Sequence, residues 1–391
     1  MNAIIVGGGI GGLSAAIALR LRGWTVRVFE QAAALTEVGA GLQISPNGWR
    51  VIEALGVAEH LSSAVFEPEA IEMRLGVSGR QVFRLRMKGY ARQRWGAPYF
   101  HVHRADLVDA LAVRLAELAP DAVQTGCPVS GYTRSGDVRF ENGDTQSADL
   151  IVGADGLHSV IRRQILGPQS PRYTGNVAWR AVVPLTDLAT PPPPTACVWA
   201  GNKRHAVTTW LRAGTMANFV GMVEQDEPAP EGWRIEGDRN DALAAFAGWD
   251  PVIVGVIERA PILNRWALFD RAPLPLWHDG CVTLLGDAAH PMLPSMAQGA
   301  VQALEDAWTL AAVLDGAADT ERALGQYFDQ RIDRTARIQA GSAANARMFH
   351  KASTLGRIGF YGPMALGARL APGMIHARQD WVYRHDVTAQ T

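Results

Sequence analysis

The stretch AIIVGGGIGGLSAAIALRLRGWTVRVFE, residues 3–30, decides the fold. The apolar run Ala3 to Val6 predicts a short buried strand. Gly7, Gly9 and Gly12 then meet the G-x-G-x-x-G spacing, and the apolar positions Leu13, Ala16, Ile17 and Leu21 that follow share one helical face. Gly7 allows a tight turn, Gly9 lets backbone approach a pyrophosphate, and Gly12 lets helix and strand pack closely, with phosphates at the positive helix end. Gly23 marks the end of the helix and Thr25 to Phe29 the next strand. Glu30 stands where a carboxylate can accept a hydrogen bond from a ribose 2′-OH, which disfavours a 2′-phosphorylated nucleotide here. Taken alone the glycine spacing is weak, but strand, helix, strand and acid in register read as a dinucleotide-binding unit.

Two further glycine turns have the same form. GADGLHS at 153–159 follows the apolar run Leu150 to Val152, and GDAAHPM at 286–292 follows Val282 to Leu285. A compact cofactor such as NAD needs only the first piece. An elongated one, touched along its length by strands that return to one sheet, needs all three, and that points to FAD. Between the second and third pieces, strand-like runs occur at Ala178 to Val183, Ala196 to Trp199, His205 to Leu211 and Asn218 to Val223, with Pro191 to Pro194 confined to a loop or sheet edge. Ile71 to Met87 alternates like a hairpin, and Gly325 to Phe349 carries apolar residues at helical spacing.

The expected fold class is α/β (α+β): a Rossmann-like FAD-binding domain with an inserted antiparallel β-sheet domain and C-terminal helices. The FAD-binding domain is expected over 1–70, 98–175 and 270–345, a substrate domain over 71–97 and 176–269, and a helical segment over 346–391.

The chain has 391 residues, 48% hydrophobic and 19% charged, with a net charge of −1, and so offers neither a nucleic-acid surface nor a polybasic membrane patch. Met1 to Leu21 is nearly all apolar, but it lacks a basic residue before Arg20 and an A-x-A cleavage site, so it reads as the start of the fold. Cys127, Cys197 and Cys281 form no CxxC and give no disulfide framework. A cytoplasmic monomer or homodimer without metal is the expectation.

Six stretches carry a family resemblance: GGGIGG, VGAGLQISPN at 38–47, HRADL at 103–107, GADGLHS, WALFDRAPLPLW at 266–277 and GDAAHPMLPSMAQGAVQALEDA at 286–307. In that order, from Met1 to about Leu314, the chain resembles the single-component FAD-dependent aromatic hydroxylases, the class of salicylate, 3-hydroxybenzoate and 6-hydroxynicotinate hydroxylases. The resemblance implies that Gly7, Gly9, Gly12, Glu30 and Gln31 bind the nucleotide half of FAD. It further implies that Asp287 accepts bonds from the ribityl hydroxyls and that Arg104 balances charge on the ribityl and phosphate side. Asp155 and Gly156 would take part in flavin and NAD(P)H binding, or simply form a turn that opens a helix. Gly286, Gly299 and Ala300 would lie at the flavin, where the helix opening near Gly299 favours negative charge on the reduced ring.

The reaction implied is ordered. NADH or NADPH reduces the FAD, O2 gives the C4a-hydroperoxide, and its terminal oxygen is transferred to an activated carbon of a small hydroxybenzoate- or salicylate-like ring. Electrophilic attack needs an electron-rich ring, so an acceptor near the ring OH is expected. His205, Val207, Thr209 and Leu211 share one strand face, and His205 is the candidate acceptor, with a structural histidine as the alternative. Gln43 and Pro294 complete the expected catalytic and substrate contacts. Gln43, Ser295 and Thr209 stand where the 6-hydroxynicotinate hydroxylases carry histidines and an aromatic hydroxyl, which counts against that substrate. A non-oxygenating oxidase or reductase on the same scaffold is the alternative. A non-catalytic binding protein of this fold is disfavoured by Glu30, Arg104 and Asp287.

Overall fold

The computed structural model describes residues 1–35, 41–227, 235–350 and 354–389, so Val38 to Ala40 of the VGAGLQISPN stretch lie outside the described residues. Asn2–Val6 is a central strand of a six-stranded sheet, flanked by Thr25–Phe29 on one side and Leu150–Gly153 on the other. Beyond Leu150–Gly153 lies Val282–Leu284, and all three pairings are parallel. Strands buried on both faces favour unbroken apolar runs, as AIIV and LIV are, and the one polar residue of VTL, buried Thr283, donates its hydroxyl to the Trp277 carbonyl. The three glycine turns leave the carboxyl ends of three adjacent strands, and this brings pieces far apart in sequence to one crevice.

Ile10–Leu21 is the helix after the first turn, with Leu13, Ala16 and Ile17 fully buried. Leu21, expected on the same buried face, is 41% exposed because the helix is ending and Gly23 at φ +82° turns the chain toward Thr25. The three motif glycines differ physically. A β-carbon on Gly12 would lie 1.9 Å from the Gly7 carbonyl oxygen, and one on Gly7 would lie 2.4 Å from that of Ala154. One on Gly9 meets nothing within 4 Å. Gly12→Ala should therefore destabilise the apoprotein by roughly 1–3 kcal/mol through overpacking. Gly9→Ala should leave apoprotein stability unchanged and weaken only FAD binding. Urea unfolding with and without FAD checks the pair, and equal effects of both substitutions on the apoprotein would refute it.

A second, seven-stranded sheet has the order Asn264–Asp270, Arg172–Pro184, Met216–Glu224, Arg204–Leu211, Ala196–Gly201, Ala70–Leu75, Gln81–Arg86. It is mixed rather than antiparallel throughout, because the hairpin Ala70–Leu75/Gln81–Arg86, arriving from an earlier part of the chain, docks parallel to Ala196–Gly201. One face packs on the helices Arg239–Ala245 and Pro251–Arg259 through Trp179, Trp199, Phe219, Phe246 and Ile253. Alternation along Arg204–Leu211 sends Ala206 and Thr208 to that core, where Trp199 Nε1 donates to Thr208 Oγ1. His205 and Val207 take the opposite face. The short ribbon Gly41–Ile44/Phe100–His103 is tied to this sheet by Asn218, whose Oδ1 accepts from Gly41 N at 2.9 Å.

At the C-terminal end, Thr320–Phe349 is one helix of 30 residues, so the domain boundary expected at 345 falls inside a continuous element. Thr354–Leu370 packs against Gln81–Arg86. Among the described residues no helix is long and apolar enough to cross a membrane.

Candidate active site

Between the two sheets lies a cavity of about 930 Å³. The parallel sheet and its turns contribute Gly9, Ala154, Gly156, Gly286 and Asp287, and the helix Gly299–Leu314 contributes Gly299 and Ala300. The mixed sheet contributes Val198, His205, Val207, Asn218, Val220 and Met222. Gln43 enters from the ribbon, where its side-chain oxygen accepts from the Tyr99 hydroxyl. Met364 and Met374 close the cavity from the C-terminal helices.

Asp287 is accessible, yet protein surrounds it: its side chain faces into the cavity. This enclosure pushes its carboxyl up, with Arg104 the strongest opposing charge. Arg104 opens the helix Arg104–Leu118 directly after the strand Phe100–His103, which places it in the same wall. Glu30, at the end of its strand, accepts from Gly8 N and Ala32 N, both at 2.8 Å, and so sits beside the first glycine turn. Gln31 follows it on the surface. Pro294 begins a single turn, Pro294–Met296, and Ala297 at φ +52° then redirects the chain into Gly299–Leu314. That helix has no side-chain cap and no acidic residue in its first turn, so its positive end is directed to the cavity through Gly299 and Ala300.

These features fit FAD. The space at Gly9 accepts a phosphate, Asp287 presents an acceptor within the cavity, and the uncapped helix end presents amide donors. The comparisons agree. Residues 1–342 match the model of a family described as FAD binding domain. The chain is 34% identical over 349 residues to the 6-hydroxynicotinate 3-monooxygenase of Bordetella bronchiseptica, covering 87% of this chain and 90% of that protein. It is 37% identical over 362 residues to the 3-hydroxybenzoate 6-hydroxylase of Klebsiella oxytoca, covering 90% and 89%. The chain belongs to the FAD-dependent aromatic hydroxylases. Its fold matches the crystal structure of Klebsiella pneumoniae HpxO complexed with FAD and uric acid at a TM-score of 0.83 and 30% identity, over 96% of this chain and 95% of that one.

As a flavoprotein monooxygenase with FAD as cofactor, the hydroxylase holds its motifs in place through buried charges that the motifs do not reveal. Arg331, from the long helix, donates through Nε to Asp306 Oδ1 at 2.7 Å and through Nη1 to Glu305 Oε2 at 2.7 Å. Asp306 also accepts from Gly286 N at 3.0 Å and meets His290 Nε2 at 2.5 Å. Burial alone would raise Asp306, but His290 and Arg331 outweigh it and hold the carboxyl below its ordinary range. Glu305 is likewise held low against its burial by Arg331 and Arg334. It accepts from Asn47 Nδ2 at 2.7 Å, and Gln298 donates to Ser45 Oγ at 2.9 Å. This network therefore joins the ISPN and GDAAH stretches. Arg162, lowered to about 10 mainly by burial, donates to the carbonyls of Leu157 and Ala288 and ties the second glycine turn to the third.

Gly7, Gly12, Glu30 and Gln31 lie around the first glycine turn and not in the cavity wall, and two further expected contacts have other partners. Asp155 lies outside the cavity wall: its Oδ2 accepts from Val160 N at 2.7 Å and Ile161 N at 3.2 Å and opens the helix Val160–Leu166, the turn alternative, while Gly156 faces the cavity. Thr209 is also off the wall, since its hydroxyl accepts from Asn218 Nδ2 at 3.1 Å and Asn218 takes the lining position. Asn218 carried no sequence signal, because only the strand register brings it beside Thr209.

Proposed function

We propose that this hydroxylase uses NADH or NADPH to drive oxygenation of a small hydroxylated aromatic acid of the hydroxybenzoate or salicylate kind. The observation that carries this reading is His205 Nε2, fully buried, without a hydrogen bond among the described residues, on a side chain in the cavity wall. When bound and reduced, FAD supplies oxygen from O2 in a form that attacks electron-rich carbon. Everything else falls to the chain itself. Gly7 and Gly12 shape the phosphate turn, Gly9 leaves room for the phosphates, and Glu30 and Gln31 flank the nucleotide end. Asp287 and Arg104 hold the ribityl stretch. The helix end at Gly299 and Ala300 steadies negative charge, with Gly286 of the third glycine turn beside it.

His205 accepts the proton of the ring OH at Nε2, and the electron density released into the ring directs attack to its carbon. Val207, Val220 and Met222 give the apolar surface on which a ring lies, with Gln43 and Pro294 positioning it and excluding water. The named substrates of the two relatives, 6-hydroxynicotinate and 3-hydroxybenzoate, are hydroxylated ring acids and support this class.

The test is a screen of small phenolic and heteroaromatic acids for stimulated NAD(P)H oxidation in air, with product mass. An effective ligand should yield a product heavier by one oxygen atom and should also speed anaerobic flavin reduction. Reductant consumption that yields only peroxide across the whole screen would overturn the substrate class.

A further inference from the structure

Behind His205 stand two groups that the site as described leaves unused. His205 Nδ1 lies 2.6 Å from His350 Nε2, and His350 Nδ1 lies 2.8 Å from Glu224 Oε1. His205 is on the strand Arg204–Leu211, Glu224 ends the neighbouring strand Met216–Glu224, and His350 caps the long helix Thr320–Phe349. The chain of contacts runs from the cavity wall to the surface: His205 is fully buried, the His350 side chain is 4% exposed and that of Glu224 is 39% exposed. Phe349, with its ring centroid 5.1 Å from that of His205, fixes the imidazole plane.

The direction of these bonds follows from donor and acceptor chemistry. A carboxylate only accepts, so His350 must carry its proton on Nδ1 to donate to Glu224. A neutral His350 then has a bare lone pair on Nε2, and His205 must donate to it from Nδ1. That leaves His205 Nε2 as a bare, buried acceptor on a side chain of the cavity wall. The surface carboxylate thus sets the tautomer of a ring it does not touch.

We propose that His350 and Glu224 are positioning residues that hold His205 as a proton acceptor and give its proton a route to solvent. The proposal rests on the reading of His205 given above. In the forward direction the substrate O–H bond breaks and its proton bonds to His205 Nε2. The Nδ1 proton of His205 passes to His350 Nε2, the Nδ1 proton of His350 passes to the Glu224 carboxylate, and from there a proton enters water. The result is a bound phenolate, one proton released and both rings in the Nε2–H form. Reversal of the same hops protonates the product oxygen and restores both tautomers, so the step needs no further reactant. The group acting on His205 is His350, and the one acting on His350 is Glu224; burial, the larger influence on each ring, keeps both imidazoles neutral.

The decisive measurement is proton–nitrogen correlation NMR of FAD-loaded protein labelled with nitrogen-15 at histidine, with signals assigned through His350→Gln. No substrate is required. Both rings should carry their proton on Nδ1. Glu224→Leu should lose that fixed pattern, and Glu224→Gln, whose amide oxygen still accepts, should restore it. With any substrate that passes the screen above, Glu224→Leu should lower kcat by about 10- to 100-fold with KM little changed, the loss expected of an orienting partner behind a reacting group. A parent protein with its His205 proton on Nε2, or unchanged tautomers in Glu224→Leu, would overturn the proposal. A failed substrate screen beside the expected tautomers would instead count against the proposed reaction.

Discussion

His205→Ala is expected to lower the hydroxylation rate by about 10²- to 10⁴-fold, the usual contribution of a positioned acid or base, while FAD stays bound. The expectation follows from where the ring sits. Burial, with His350 adding to it, holds the imidazole well below its ordinary pKa, so it meets a substrate hydroxyl as the neutral base. Alanine leaves a ring OH with no acceptor there, and oxygen activated at the flavin then decays to peroxide. NAD(P)H consumption should therefore fall much less than product formation, and the ratio of the two is the measurement. If His205 only packs against Phe349 and Met222, the substitution will lower thermal stability and FAD occupancy but leave that ratio near the parent value.

Arg331→Met should have the largest effect on stability, a loss of about 3–5 kcal/mol, the usual cost of removing one partner from a buried ion pair. Arg331 is 1% exposed and its partners Glu305 and Asp306 are fully buried, so Glu305 would lose its strongest compensating charge and Asp306 its second after His290. FAD should dissociate as well, because Asp306 holds the Gly286 amide and His290 and thereby shapes the turn that presents Asp287. Urea unfolding of apo and FAD-loaded protein reads the first effect, and flavin fluorescence released on dilution reads the second. Adding Glu305→Gln and Asp306→Asn to the Met variant should recover part of the loss, since an unpaired neutral group costs less than an unpaired charge. Stability unchanged in the single variant would mean that the network carries no net weight.

Fold and cofactor were legible in residues that act over short distances. The spacing of Gly7, Gly9 and Gly12 is a local statement about close backbone approach, and a short β-branched apolar run such as Ala3 to Val6, ended by glycines, reads as a strand buried on both faces. Three such runs, each ending in a glycine turn, sufficed for an elongated cofactor. The hairpin over 71–87 and the strand alternation at His205 and Val207 were legible for the same reason. The mixed character of the large sheet was not, because a parallel pairing between Ala70–Leu75 and Ala196–Gly201 is settled by how distant segments dock.

The polar machinery behind the cavity was hidden in the sequence. Arg331 and Glu224 look like surface charges on a helix and at a strand end, and His350 is one histidine among ten. Asp155 and Thr209 had the expected types, yet helix capping claimed the first and register gave the cavity position to Asn218. The amino-acid order determined the backbone, through steric and burial preferences that each segment expresses locally. Only the tertiary structure decided which charges are paired and which ring nitrogens meet, because a hydrogen bond such as that between His205 and His350 joins residues 145 positions apart, and its direction depends on a third group on yet another element.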